Sequence, residues 1–141
     1  MAIAPNLDRF LDAQAEVYES ALAELKDGRK YTHWMWFVFP QIQGLGSSRM
    51  ARRYAIQDAA EATVYLAHPV LGARLRECSE IVLNTDNRTA VEILGCPDDL
   101  KLKSLMTLFG YVSNKPESVF ARVLEKYYRG ERCSLTLQHL G

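Results

Sequence analysis

Between residues 33 and 54 the chain gathers groups suited to holding an anion beside a flat ring. Gly44 and Gly46 flank Leu45, Ser47 and Ser48 follow, and Arg49, Arg52 and Arg53 come next. A serine opening a helix leaves backbone amides pointing outward. Those amides, flexible glycine backbone and guanidinium groups all attract phosphate or carboxylate. Upstream, Trp34 and Trp36 offer flat faces for a planar ring, and Gln41 and Gln43 carry amides that can read polar edges. With Tyr54 closing the stretch, the combination suits a small, anionic, nucleotide-like ligand. The Gly-x-Gly lacks the third glycine of the dinucleotide fingerprint, has no βαβ setting and is not a P-loop. A purely structural account exists for each part: tryptophans in an apolar run as core, arginines as a solvated helix face, glycines as a tight turn.

Proton carriers are few. His33, Glu61 and Lys101 are the candidates for acid–base work, which contributes typically 10²–10⁴-fold to a rate. His33 lies among large aromatics, where a hydrogen-bonded, half-buried histidine is the structural alternative. His68 precedes Pro69 and reads as a helix cap, and His139 reads as surface. Glu61 ends Asp58-Ala-Ala-Glu61, which has the form of a capping box and gives that carboxylate a structural role. Asp98 and Lys101, three apart on a helix, can pair for about 0.2–0.5 kcal/mol. Lys101 among apolar neighbours can alternatively hold an anion, with Ser104 and Thr107 on the same helix to support it.

Charge and cysteine content exclude several classes. The 17 basic and 17 acidic residues cancel, which removes the global electrostatic argument for a nucleic-acid binder but leaves room for a local basic pocket. Cys78, Cys96 and Cys133 are widely spaced with no CxxC pair, and His33, His68 and His139 show no ligand rhythm. Neither a metal nor a cofactor is expected, and the cysteines read as small hydrophobes in a reducing compartment. The N-terminus lacks a basic then apolar leader, and the run from Trp34 to Phe39 is too short to span a bilayer. A cytoplasmic protein without membrane contact is expected; oligomeric state is open.

The elements that must position these groups read as helices. A hydrophobic fraction of 48% is enough for a packed core, so disorder is excluded as the main state. Leu7, Phe10, Leu11, Val17, Ala21, Leu22 and Leu25 recur at helical spacing, ahead of Gly28. The stretch Tyr31 to Pro40 predicts a short core helix stopped by the proline. Ser47 or Ser48 caps a helix to Tyr54, Asp58 opens one to about Ala67, and Pro69 one carrying Leu71, Leu75, Cys78, Val82 and Leu83. Thr89-Ala-Val-Glu92 is a second capping box, and Asp98 or Asp99 begins a helix to about Tyr111 with Leu102, Leu105, Met106 and Phe109 inward. Pro116 begins a last long helix ending at Gly130, and Ser134 caps a final turn. The pattern predicts one all-α domain over residues 1–141, a compact bundle of about seven or eight irregularly packed helices.

Beyond pattern, specific residues match a known family. His33-Trp-Met-Trp36, Phe39-Pro-Gln41, Gly44-Leu-Gly46 with Ser48, and Tyr54-Ala-Ile56 come in order. Tyr65-Leu-Ala-His-Pro-Val-Leu-Gly72, Asp98, Lys101, Ser104 and Met106-Thr-Leu-Phe109 follow. Together they closely resemble the bacterial family catalogued as domain of unknown function 1810, over roughly residues 7 to 140. The resemblance implies a compact, mainly helical domain and carries no assigned reaction. Leu105 and Cys133 depart from its usual serine and acidic residue. Some members carry a calpastatin-like label, but calpastatin is a disordered inhibitor, whereas this composition is that of a folded core. The Lys–Met–Phe pattern of the late helices is also similar to helical ADP-ribose-processing domains.

Three functions follow from the sequence: a small enzyme acting on a phosphorylated or nucleotide-derived molecule, possessing an ADP-ribose-like ligand in one version; a non-catalytic sensor using the same pocket; and a protein-interaction module whose aromatic segment docks a partner. The first two require Trp34, Trp36, Gln41, Gly44, Gly46, Ser48, Arg49, Tyr54, Asp98 and Thr107 as ligand contacts around His33, Glu61 and Lys101.

Overall fold

A computed structural model describes residues 6–140. Its helices are α1 (Asp8–Ala15), α2 (Tyr18–Lys26), α3 (Met35–Val38), α4 (Arg49–Arg53), α5 (Ala59–Ala67), α6 (Leu71–Leu83), α7 (Ala90–Leu94), α8 (Asp98–Ser113), α9 (Val119–Tyr128) and α10 (Ser134–Leu140). No strand forms among the described residues; Ile42 and Ile56 make an isolated parallel bridge. The all-α class holds, with ten helices where about seven or eight were expected. The stretch expected as one helix from Leu7 to Leu25 breaks at Glu16–Val17. The break lets α1 pack on α3 while α2 packs on α6. At the break, buried Gln14 donates its amide to Phe37 O (2.6 Å) and Tyr65 Oη (3.2 Å).

Helix α8 is the axle. Leu102, Leu105, Met106, Leu108 and Phe109 are fully buried, and α5, α7, α9 and α10 all pack around it. An aromatic chain links the outer helices through this axle: Phe10 meets Tyr65 edge-on at 5.1 Å, Tyr65 meets Phe109 at 5.5 Å, and Phe109 meets Phe120 at 5.9 Å. These separations fall in the favourable range for tilted and edge-to-face rings.

Side-chain caps set five of the ten helix starts. Ser48 Oγ accepts from Ala51 N, Asp58 Oδ1 from Glu61 N, and Thr89 and Glu92 form both bonds of a capping box. His68 Nδ1 accepts from Val70 N and Leu71 N, so the imidazole caps α6, which begins two residues after Pro69. Helix α9 likewise starts later than Pro116 suggested, because Ser118 Oγ takes the Ala121 amide. Ser134 is the first residue of α10 instead of its cap. No helix among the described residues is long and apolar enough to cross a membrane.

Candidate functional site

Trp34 and Trp36 part company at the start. Two residues apart on a helical turn, side chains point about 200° from each other. Trp34 goes inward, 1% exposed, and its indole N–H donates to Glu24 Oε1 at 3.0 Å. Glu24 also accepts from Tyr31 N, Thr32 N and Thr32 Oγ1 at 2.6–2.9 Å, which ties α2 to the approach of α3. Burial pushes the Glu24 carboxyl up, but these donors overcome it and hold the group at about 2 against an ordinary 4.5. The charged form is favoured by the fold, so its stabilisation is complete above about 4.5 and is lost as pH falls towards 2. We expect Glu24→Gln to flatten the acid limb of a melting-temperature profile between pH 2 and 6. An unchanged slope would remove this carboxyl as its source.

Trp36 turns outward, half-buried, onto a cavity of about 460 Å³ between α3, α4, the 41–46 loop, α8 and α10. Phe39, Ile42 and Tyr54 supply apolar wall, and Gln41 and Gln43 line it with amides. The Tyr54 ring is fixed by Phe37 at 5.2 Å and Phe10 at 6.1 Å. Two hydrogen bonds close the loop's base: Ile56 N donates to Gln41 O and Gln43 N to Ile56 O, both 2.8 Å.

Two permanent cations face this space, and no Asp or Glu lines it. Arg52 is anchored through Nε to Ser47 O (3.0 Å), and its terminal nitrogens hydrogen-bond no group among the described residues. Lys101 Nζ stands 5.6 Å from the Trp36 ring centre and 3.4 Å from Asp98 Oδ1. Asp98 is shared, because Lys30 lies 3.0 Å from its other oxygen. One carboxylate between two lysines leaves positive charge over. The floor is made by close approach: a Cβ on Gly44, whose φ is +96°, would lie 2.6 Å from the His139 imidazole, and one on Gly46 would lie 2.5 Å from Ala51 Cβ.

Of the residues singled out in the sequence, Trp36, Gln41, Gly44, Gly46, Tyr54 and Lys101 therefore share this cavity, with Asp98 behind Lys101. The others lie elsewhere. Trp34 is core. His33 is exposed and stacks on Trp36 (6.5 Å, 22°) without lining the cavity. Ser48 is occupied as a cap, and it and Arg49 are exposed away from the lining. Glu61 is buried against Arg9 at 2.9 Å and accepts from Gln57 N, so its side chain does not reach back to Asp58 as a full capping box requires. Thr107 is buried, donating to Lys103 O and accepting from Cys133 N; six residues beyond Lys101, it sits about 240° round α8 and lines a separate cleft.

Sequence reasoning preferred Arg49 to Arg52 and passed over His139. The two arginines are three positions apart on one short helix, so nothing local chooses between them. His139 reaches the loop from the far end of the chain, and no motif announces that contact. Among the described residues no group of three His, Cys, Asp or Glu comes together. Burial pushes the Cys78 thiol up to about 11, leaving it inert beneath Tyr18.

Fold and site together define an all-helical protein with an open, cationic, aromatic-walled cavity. The chain belongs to the family described as Protein of unknown function (DUF1810), which matches residues 4–140. The crystal structure of a conserved hypothetical protein from Mycobacterium tuberculosis is similar to it, at 50% identity and a TM-score of 0.92 over 95% of each chain. No curated protein matches the chain.

Proposed function

We propose that the chain binds a small ligand with an anionic group on a planar body, a phosphorylated or nucleotide-derived molecule, in the cavity beside Trp36. The observation that carries this reading is the pairing of Arg52 and Lys101 across a lining without carboxylates, next to an accessible indole face. The volume suits a small ligand, and a few polar groups set in apolar wall are what such sites contain. In this reading Trp36 stacks, Gln41 and Gln43 orient, and the two cations hold the anion. Of His33, Glu61 and Lys101, Lys101 alone lines the cavity, so binding is the activity the lining supports best.

A thermal-shift screen tests it with AMP, ADP-ribose and ribose 5-phosphate against adenosine and ribose. A ligand at 100 times its Kd stabilises by about 2.7 kcal/mol, a shift of several degrees for a chain this size. Phosphorylated compounds are expected to shift the wild type. Arg52→Ala and Lys101→Ala are expected to melt like the wild type and to lose most of that shift. If no phosphorylated compound stabilises the protein, the reading falls.

A further inference from the structure

Helix α10 supplies the cavity's last wall and is held by little buried surface of its own. Thr136 is its one buried residue, with a 2.8 Å hydrogen bond to Ser104. Leu137 and Leu140 are half-buried, Leu135 is 55% exposed, and no salt bridge among the described residues reaches the helix. Its approach is tied to α8 by Cys133 N, which donates to Thr107 Oγ1 at 2.9 Å, and by the ion pair of exposed Glu131 with Lys103. An element with so little buried surface belongs at the low end of local stability.

On the same face as Thr136, three residues on, His139 lays its imidazole against Gly44. That position exists because residue 44 has no side chain. The ring lines the cavity with Arg52 and Lys101, and neither ring nitrogen is hydrogen-bonded within the described residues. Three polar arms thus converge from three elements, α4, α8 and α10, and the third stands on a helix with a single buried residue.

We infer that His139 is a third ligand-contacting group of this cavity, donating an imidazole N–H to the ligand's anion, and that the bound ligand fastens α10 to the body. The inference rests on the anion-binding reading above. Arg52 and Lys101 are carried by α4 and α8, so of the three arms His139 alone couples the ligand directly to α10. His139 is a binding residue here, with no proton transfer assigned to it.

The experiment uses the full chain, with AMP and ADP-ribose as probes. Backbone amide exchange is followed by mass spectrometry, and affinity is measured for wild type, His139→Ala, His139→Gln and, as a control on the exposed side of the same helix, Gln138→Ala. Without ligand, α10 amides are expected to exchange well ahead of those of α8. Either probe is expected to slow α10. His139→Ala is expected to lose roughly tenfold in affinity and the added α10 protection, in line with one hydrogen bond to a charged group. His139→Gln, which retains a donor, recovers part of both, and Gln138→Ala changes neither. Probe binding with full affinity in His139→Ala, or without added protection of α10, overturns this inference and leaves the binding reading standing. Exchange of α10 as slow as α8 in the free protein overturns the fastening. Failure of both probes to bind wild type removes both.

Discussion

Arg9→Met lowers the unfolding free energy by roughly 3 kcal/mol, as expected for removing the half-buried partner of a buried carboxylate. All three nitrogens of the Arg9 guanidinium are engaged by the protein. Nη2 donates to Glu61 Oε1 and to Ala55 O, each at 2.9 Å, Nε donates to Arg53 O, and Nη1 donates to Asn6 O. Glu61 is 5% exposed, and without Arg9 its charge keeps only the Gln57 N–H as a donor among the described residues. The side chain also lies 4.3 Å from the Phe10 ring centre, so methionine keeps some packing and the loss reads mainly the charge. A double variant, Arg9→Met with Glu61→Met, is expected to recover much of the loss, since neither charge then remains unpaired. Urea denaturation of the wild type, both single variants and the double gives the cycle. A single-variant loss under about 1 kcal/mol would place the pair in solvent and end the structural account of Glu61.

Gly72→Ala is the second large effect. Alanine in place of glycine within a helix ordinarily stabilises by about 0.5–1 kcal/mol. Here a Cβ would lie 2.0 Å from Leu66 O and 2.8 Å from Leu66 C, both backbone atoms at the end of α5. Backbone cannot rotate aside as a side chain does, so α5 and α6 must separate, and that contact belongs to the core. Overpacking of this kind costs roughly 3 kcal/mol, which outweighs the helix-propensity gain and sets the sign. The same carbonyl also accepts from Arg76 Nη1 at 3.2 Å, a bond the shift would strain. A thermal or urea melt decides: a Gly72→Ala protein as stable as wild type would mean that the α5–α6 approach is looser than described.

Both effects turn on contacts far apart in sequence or on backbone geometry, which marks the limit of what could be read from the residues. Ser48, Asp58, Thr89 and His68 were legible as helix-start residues because a cap acts within three positions of itself. The inward faces of α6 and α8 were legible for a similar reason: Leu71, Leu75, Cys78 and Val82, or Leu102, Leu105, Met106 and Phe109, keep helical spacing and are buried. The break after α1 was not, since no Gly or Pro marks Glu16–Val17 and the apolar spacing continues through it; packing on two different partners imposes it. At the candidate site, the segment was visible and the roles within it were not. Trp34 and Trp36 are equivalent by composition, and only the phase of a four-residue helix sends one to Glu24 and the other to the cavity. Glu61 met Arg9 across 52 residues, a pairing no local pattern encodes.

The clasp between Gln41, Gln43 and Ile56 has a consequence for how such proteins can diversify. Residues 44 to 52 leave the clasp and are brought back by buried Tyr54, set between Phe10 and Phe37, and by Arg9, which holds Arg53 O and Ala55 O, so the stretch before these anchors is a detour whose length can vary. Insertions, deletions or altered lining side chains there would retune ligand preference while the aromatic column from Phe10 to Phe120 keeps its register. The clasp, with Tyr54 and Arg9 as its outer anchors, thus marks where the variable stretch ends and the packed body begins.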